Sequence, residues 1–557
     1  MERGERIGRL VEAKYWELDA IKRASRYEEK LKACAYVHHR DDYAESEVPR
    51  IKTYDSNPKS YLTKYENGFC GYLMPEDSEW ARLVPRGSGT KRAVFSSEKK
   101  DREDLEGITA LVFQCMTDSN FYSTVLRVCT DRDVSGTGYM YVVDGWDSGE
   151  SGIIYSCMDP QESVLADDSR GICNVYIRRM MKSPIDVIRD YGAERLPTVE
   201  KRLAGMQSED RDVEIFEAVI PRGYLYDPSE REFVELAGGK KFAHLVYIPV
   251  DRAMVVESGY DVMPVCVDRR MSDSEKAPYG RGLIEDCLEE IIKLNDMSNM
   301  RQIIVQKNAR PPMYVPSSLK GRYSGKPDAI NYGPAADSTS RPTPILTSID
   351  SNGLLADIEG LKTTLRNLIP VDLFETLMGS TDSRKTATEV SMRKNEAMIL
   401  LAMSIGDMKR NLIEPVFKRS AQIIIKHLDI GSEKERVRLQ RLVDSSRLEL
   451  SSVFIRRLNA WLQNEGDDQI VGAMQLFAQF HPQALDMVDM DAFMTKYMLG
   501  KGMSNTLIKD MRQVEAERNA RAQIQNAQLQ AQTGQMNAKA NADNAKAMNL
   551  LGGNGGV

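Results

Sequence analysis

The sequence predicts an α+β fold, and three observations carry that expectation. Residues 139–256 hold short runs of apolar and β-branched residues separated by turn-rich stretches, as antiparallel strands do. The segment from Tyr279 to Leu428 reads as a helix, an excursion dense in Pro and Gly, a second helix, a polar loop and a very long helix. Beyond about residue 432 the pattern is helical, until the composition turns to Ala, Gln and Asn from Arg518 onward. At 557 residues the chain is long enough for roughly two to four domains and a large core.

In chain order, residues 1–35 form an amphipathic pattern, with Ile7, Leu10, Val11, Leu18, Ile21 and Leu31 set against charge. A second helical segment spans 55–83, opening after Asp55-Ser56-Asn57-Pro58, and a third spans 101–135 and breaks at Ser135-Gly136-Thr137-Gly138. Tyr139–Val143 and Gly152–Ser156 flank an Asp/Gly-rich turn and read as a hairpin. Further strands are expected at 173–180, 213–219, 222–225, 244–249 and 254–256, with a helix at 183–191.

The helix from Leu283 to about Asn308 changes face midway. Ile284, Cys287, Leu288, Ile291 and Leu294 make one stripe; Met297, Met300, Ile303 and Ile304 make another. At about 100° per residue the two stripes lie nearly opposite. Such a helix touches two partners, or is sandwiched inside one core. The excursion 310–350 leaves Met313-Tyr314-Val315, Ala329–Tyr332 and Pro344-Ile345-Leu346 as short strands among its breakers. A helix over Asn352–Leu368 ends before Pro370. After the loop Met378–Lys385, Thr386-Ala387-Thr388-Glu389 matches a capping box, and Pro415 should kink the helix that follows. Helices are then expected at about 432–443, 451–463, 467–480, 489–499 and 504–530. The tail has no apolar stripe to pack and should fray by about Gly534.

Composition narrows the function. Net charge is −7, whereas a tightly held nucleic-acid binder is usually basic. Eight cysteines and five histidines show no metal-ligand spacing, so no metal and no cofactor is expected, and the thiols should be reduced. The charged start Met1–Arg6 argues against a signal peptide, and the longest apolar run, Ala397–Met403, is far below the ~20 residues of a membrane span. Arg86–Lys91 hints at a phosphate loop but lacks its spacing, so a surface loop is the better reading. His38-His39 point apart on a helix, and Asp41-Asp42 and Glu289-Glu290 read as solvated acidic faces. No nucleophile elbow or Cys/His nucleophile arrangement appears. The 28 methionines suit core filling, and also surfaces that must repack.

Tyr279-Gly280-Arg281-Gly282, the acidic helix with Leu294-Asn295-Asp296-Met297, and Thr386-Ala387-Thr388-Glu389-Val390 together resemble the head-to-tail connector (portal) protein of short-tailed, podovirus-type bacteriophages. Ser119–Tyr122, Val134–Gly138, Glu257–Tyr260 with Pro264 and Arg269, and Ser451–Trp461 followed by Phe477, Pro482 and Asp491 extend the resemblance over roughly residues 1–515. It implies an α/β wing (1–282), a first stem helix (283–309), a β clip (310–350), a second stem helix (351–376) and a tunnel loop (377–385). A long kinked helix with the rest of the wing (386–450), a helical crown (451–533) and a flexible tail (534–557) complete it. The implied function is a non-enzymatic ring, twelve copies in that family, at one capsid vertex, through which double-stranded DNA is packaged and ejected. Implied partners are the chain itself, passing DNA, terminase, a tail adaptor, and capsid and internal core proteins, with no membrane.

On that reading Gly379, Ser380, Thr381, Asp382, Ser383, Arg384 and Lys385 face the DNA. Lys320, Arg322, Tyr323, Lys326, Asp328 and Tyr332 form the clip docking surface, and Met297, Met300, Ile303 and Ile304 the interface between subunits. The alternatives are a DNA-packaging nuclease or ATPase with a divergent site, or a tail adaptor.

Overall fold

The computed structural model describes residues 3–37, 47–85, 99–149, 152–204, 212–236, 239–271, 278–310, 313–315, 343–344, 352–371, 404–429, 432–452, 455 and 511–551. The clip interior, the loop 377–385, the start of the long helix at Thr386, the helices expected between 456 and 499, and the stretches at His38-His39, Asp41-Asp42 and Arg86–Lys91 lie outside these residues. The chain divides into two compact units, Met1–Val84 with Glu106–Leu458, and Pro85–Leu105 with Asn459–Val557.

The first unit is mixed helix and sheet. The amphipathic start forms α1 (Arg3–Arg23) and α2 (Tyr27–Val37) rather than one helix. The break falls at Arg26, whose φ of +52° an α-helix does not accept. α3 (Asn57–Leu73) stops well short of residue 83, and Ala81–Pro85 is a strand, β1. The expected helix over 101–135 is likewise two, α4 (Lys99–Thr117) and α5 (Phe121–Ser135).

The hairpin forms as expected from β2 (Thr137–Asp144) and β3 (Ile153–Met158). Next come β4 (Ser163–Asp167), β5 (Cys173–Lys182), α6 (Pro184–Tyr191), α7 (Pro197–Ala204) and β6 (Val213–Pro221). Residues 222–225 are a turn, not the expected strand, with Tyr224 N–H donating to Pro221 O. It leads into the short pair β7 (Tyr226–Asp227) and β8 (Glu232–Phe233). β9 (Phe242–Ile248), β10 (Ala253–Tyr260) and β11 (Val265–Arg269) follow.

The main sheet is antiparallel in the order β10-β9-β6-β5-β4. Alternation along β6 explains its two covers. Phe216, Ala218 and Ile220 face Ile7, Val11, Tyr15 and Leu18 of α1. Val213 and Ile215 face Val187 of α6, and Leu196 and Val199 at α7. The second sheet, β11-β2-β3, contributes Tyr139, Tyr141, Met158, Val265 and Val267 to a core that Tyr279 closes.

The expected helix at Leu283 is interrupted at Cys287, giving α8 (Leu283–Asp286) and α9 (Leu288–Ala309). β12 (Met313–Tyr314) pairs antiparallel with β13 (Thr343–Pro344), and α10 (Asn352–Leu368) has the expected bounds. Ahead of Pro415 the chain forms a π-turn over Lys409–Ile413, with Glu414 N–H donating to Lys409 O, and helix Glu414–His427 continues from it. Proline has no N–H and crowds the preceding turn; the wider turn absorbs both defects.

Helix Glu433–Ser445 leads into β14 (Ser446–Leu450), which pairs with β1. Trp80, fully buried against Phe113, Phe121 and Phe417, fixes the entry to β1. In the second unit Met511–Leu551 is one helix that passes through Gly534, where fraying was expected.

Candidate functional site

The motif Tyr279–Gly282 forms a strap that carries the chain from the β-sheet body into α8 and α9. The Tyr279 hydroxyl accepts from Leu165 N–H at 3.2 Å, and Gly280 N–H donates to Thr137 Oγ1 at 3.1 Å. Lys30 Nζ donates to Gly280 O at 2.9 Å. Gly136 has φ +83°, and a Cβ on Gly280 would lie 2.2 Å from Gly136 O and 2.4 Å from Arg270 O. Two backbones therefore meet here at a distance only glycine permits. Beneath the strap, the buried Arg132 guanidinium forks onto Asp133 at 2.9 Å and reaches Asp268 at 3.1 Å. Burial pushes the Asp268 carboxyl above its ordinary value although Arg132 lies beside it. Asp286 pairs with both Arg270 and Arg281, fastening α8 to the end of β11.

α9 then separates into two halves. Leu288, Ile291, Leu294 and Asn295 are buried. Asn295 Oδ1 accepts from Tyr54 N–H at 2.7 Å, and its Nδ2 donates to Lys52 O at 3.3 Å. Past that anchor the face opens. Met300 is 56% and Ile303 40% exposed, Val305 52%, and Met297 and Ile304 are half-buried. α10 packs against α9 and buries Ile358 and Leu365, yet Leu355 and Leu368 remain outside. The pair therefore leaves apolar side chains uncovered in a single chain, the kind of patch that marks a contact surface. Across its far end, Met313 pairs with Pro344 and Tyr314 with Thr343, closing the base of the excursion.

Of the sequence-derived site residues, the structure brings together Met297, Met300, Ile303 and Ile304. The clip residues Lys320, Arg322, Tyr323, Lys326, Asp328 and Tyr332 and the loop residues Gly379–Lys385 lie outside the described residues.

Sequence reasoning missed a latch at the end of helix Glu414–His427. His427 Nε2 lies 2.8 Å from Asp144 Oδ2, and Lys426 Nζ lies 2.9 Å from the same oxygen and also on Asp147. Burial works to raise the Asp144 carboxyl, but hydrogen bonds from His427 and Lys426 outweigh it and hold it below its ordinary value. Asp144, Asp147 and His427 offer ligand atoms within 4.8 Å of one another. The Lys426 ammonium already sits on both carboxylates, so the geometry is that of an ion-pair latch. No local signal could have revealed it, since Asp144 and His427 are 283 positions apart.

The family model for "Bacteriophage head to tail connecting protein" matches residues 13–508. The chain belongs to that family. This head-to-tail connecting protein is 23% identical over 424 residues to the probable portal protein of Bordetella phage BPP-1, covering 76% of this chain and 74% of that one. It is also 23% identical over 427 residues to the portal protein of Salmonella phage epsilon15, covering 75% and 74%. Its function is accordingly that of a phage portal, and the packaging-enzyme and tail-adaptor readings are not favoured. Portal proteins are structural components of the virion, located at a capsid vertex. Among the described residues, no helix is long and apolar enough to cross a membrane.

Proposed function

We propose that copies of this connector subunit, twelve by family resemblance, form a ring at the vertex through which double-stranded DNA enters during packaging and leaves at ejection. The body on the two sheets is the wing, α9 and α10 the stem, residues 310–350 the clip and residues 377–385 the tunnel loop. The helical stretch 451–533 is the crown. The observation that carries this reading is the uncovered apolar end of α9, with Met300 and Ile303 outside the subunit's own core. A neighbouring copy is the occupant such a surface needs.

Among the described residues of 310–350, β12 and β13 pair over two residues where the excursion leaves the stem. Short strands offer edges for pairing with another chain, so the clip suits docking of terminase and later of a tail adaptor. Deleting Lys320–Pro334 should leave rings intact while abolishing packaging or tail attachment. Wild-type yields of filled, tailed particles from that deletion would remove the clip from this role.

A passage must guide DNA without holding it. The chain's net charge of −7 opposes a deep bound state. In the tunnel loop, Arg384 and Lys385 supply two adjacent cations for transient phosphate contact, screened over about 8 Å at physiological salt. Replacing both by Ser should give rings that assemble normally but lose DNA after packaging, scored as packaged length and retention by pulsed-field gels. Full-length DNA retained and ejected at the usual rate would show that these two side chains play no part.

A further inference from the structure

Two buried thiols face each other between α3 and α5. Cys70 lies on α3 and Cys129 on α5, and the Cys70 S–H donates to Cys129 Sγ at 3.5 Å. Both side chains are buried, Cys129 completely. The surroundings hold the sulfurs in register. One turn before Cys70, Glu66 Oε2 accepts from the hydroxyl of Thr130, the residue after Cys129, at 2.8 Å. Beside Cys70, Phe69 stacks on Tyr65 and lies under the Arg132 guanidinium of α5 at 5.2 Å. A disulfide needs the sulfurs at about 2.0 Å, so an approach of roughly 1.5 Å, within reach of side-chain rotation, converts contact into bond.

We propose that Cys70 and Cys129 form a latent disulfide site, closed in the folded protein by a two-electron thiol oxidant such as a small disulfide or an azo compound. Taking the azo compound diamide, the Cys70 sulfur adds to one nitrogen of the N=N bond and its proton moves to the other. The Cys129 sulfur then attacks Cys70 Sγ, the S–N bond breaks, and the leaving nitrogen takes the Cys129 proton. The two thiols lose two electrons and two protons, and the azo compound becomes the hydrazine. Cys70 goes first because it is the more accessible of the two. The hydrogen bond from Cys70, and then burial, push the Cys129 thiol well above its ordinary value, so closure is slow at neutral pH and speeds up as pH rises. Cys157 and Cys173 are placed differently: Cys157 donates to Asp131 and Cys173 to Val175 O. The bond would tie the helix beneath the strap to α3, stapling the body at the root of the stem.

The test is diamide treatment of the full-length protein under native conditions at pH 7 and pH 9. Alkylation in denaturant, non-reducing peptide mapping and a thermal melt follow. The expected result is loss of two thiols, a crosslinked peptide joining Cys70 to Cys129, faster closure at pH 9, and a Tm raised by a few degrees until dithiothreitol is added. Cys70→Ala and Cys129→Ala should each abolish the crosslink, while Cys34→Ala should not. Retention of both thiols in protein that stays folded, a crosslink through other cysteines, closure only after unfolding, or a lowered Tm would each overturn the proposal.

Discussion

The Ile303→Asp, Ile304→Asp double variant folds as a subunit and fails to assemble. Ile303 is 40% exposed and Ile304 half-buried in the isolated chain, so both carboxylates reach water there and the body core is untouched. The Tm of the monomer should stay within about 2 °C of wild type. In the proposed ring a neighbour would cover the same positions, and an unpaired ion taken out of water costs several kcal/mol. With two such ions at every joint, the subunit affinity should fall at least ~100-fold, about 2.7 kcal/mol. A sizing column run beside a circular-dichroism melt separates the two effects. Wild-type ring elution by the double variant would take this surface out of the interface, and a collapsed melt would place it in the core.

The second large effect is on pH dependence. Glu66 is 5% exposed, accepts one bond from Thr130, and leaves Oε1 without a partner. Burial, then the charge of Asp133, push its carboxyl up to about 9. The folded state therefore keeps it protonated at neutral pH, where the unfolded chain ionises it. Its contribution to stability is fully present below about pH 4.5 and is lost progressively as pH rises to about 9. At pH 7 the loss is roughly 3 kcal/mol. Glu66→Gln keeps an acceptor for Thr130 and puts an amide NH2, with two N–H donors, in place of the carboxyl O–H, but removes the ionisation. The variant should be more stable than wild type by an amount that grows from pH 5 to pH 8, read as a shift of the denaturant midpoint. A difference that stays constant over that range would mean that Glu66 is ionised in the folded state.

What could be read from the sequence was what local pattern encodes. The hairpin of β2 and β3 and the bounds of α10 follow from period, turn residues and Pro370, all within a few positions of the element they set. The strap motif Tyr279–Gly282 was legible only as a family resemblance, because the contact of Gly280 with Gly136 and Arg270 joins distant positions. The first stripe of α9 was legible because a helix advances by a fixed angle, and Leu288, Ile291 and Leu294 are buried together. What stayed hidden depends on distant partners. β1 is a strand because β14 pairs with it, and Arg82 of β1 meets Glu449 of β14 across 367 positions. Ahead of β1, Leu73-Met74-Pro75-Glu76-Asp77-Ser78-Glu79-Trp80 reads as the end of the helical segment, and nothing within it signals the strand that follows. The latch of Asp144 with Lys426 and His427 is hidden for the same reason. The helices expected to be continuous over 1–35 and 101–135 break at Arg26 and at Asp118–Asn120, where charged or polar residues sustain the amphipathic pattern across the turn.

In the proposed function this connector subunit closes into a ring around a passage. Negative-stain imaging of the purified full-length chain tests it most directly, with particle mass measured by light scattering on the same sample. Closed rings of one subunit number are expected, with a central hole wide enough for duplex DNA and a mass that is a whole multiple of 62.8 kDa. Monomers at assembly concentrations, or open filaments without a hole, would contradict it.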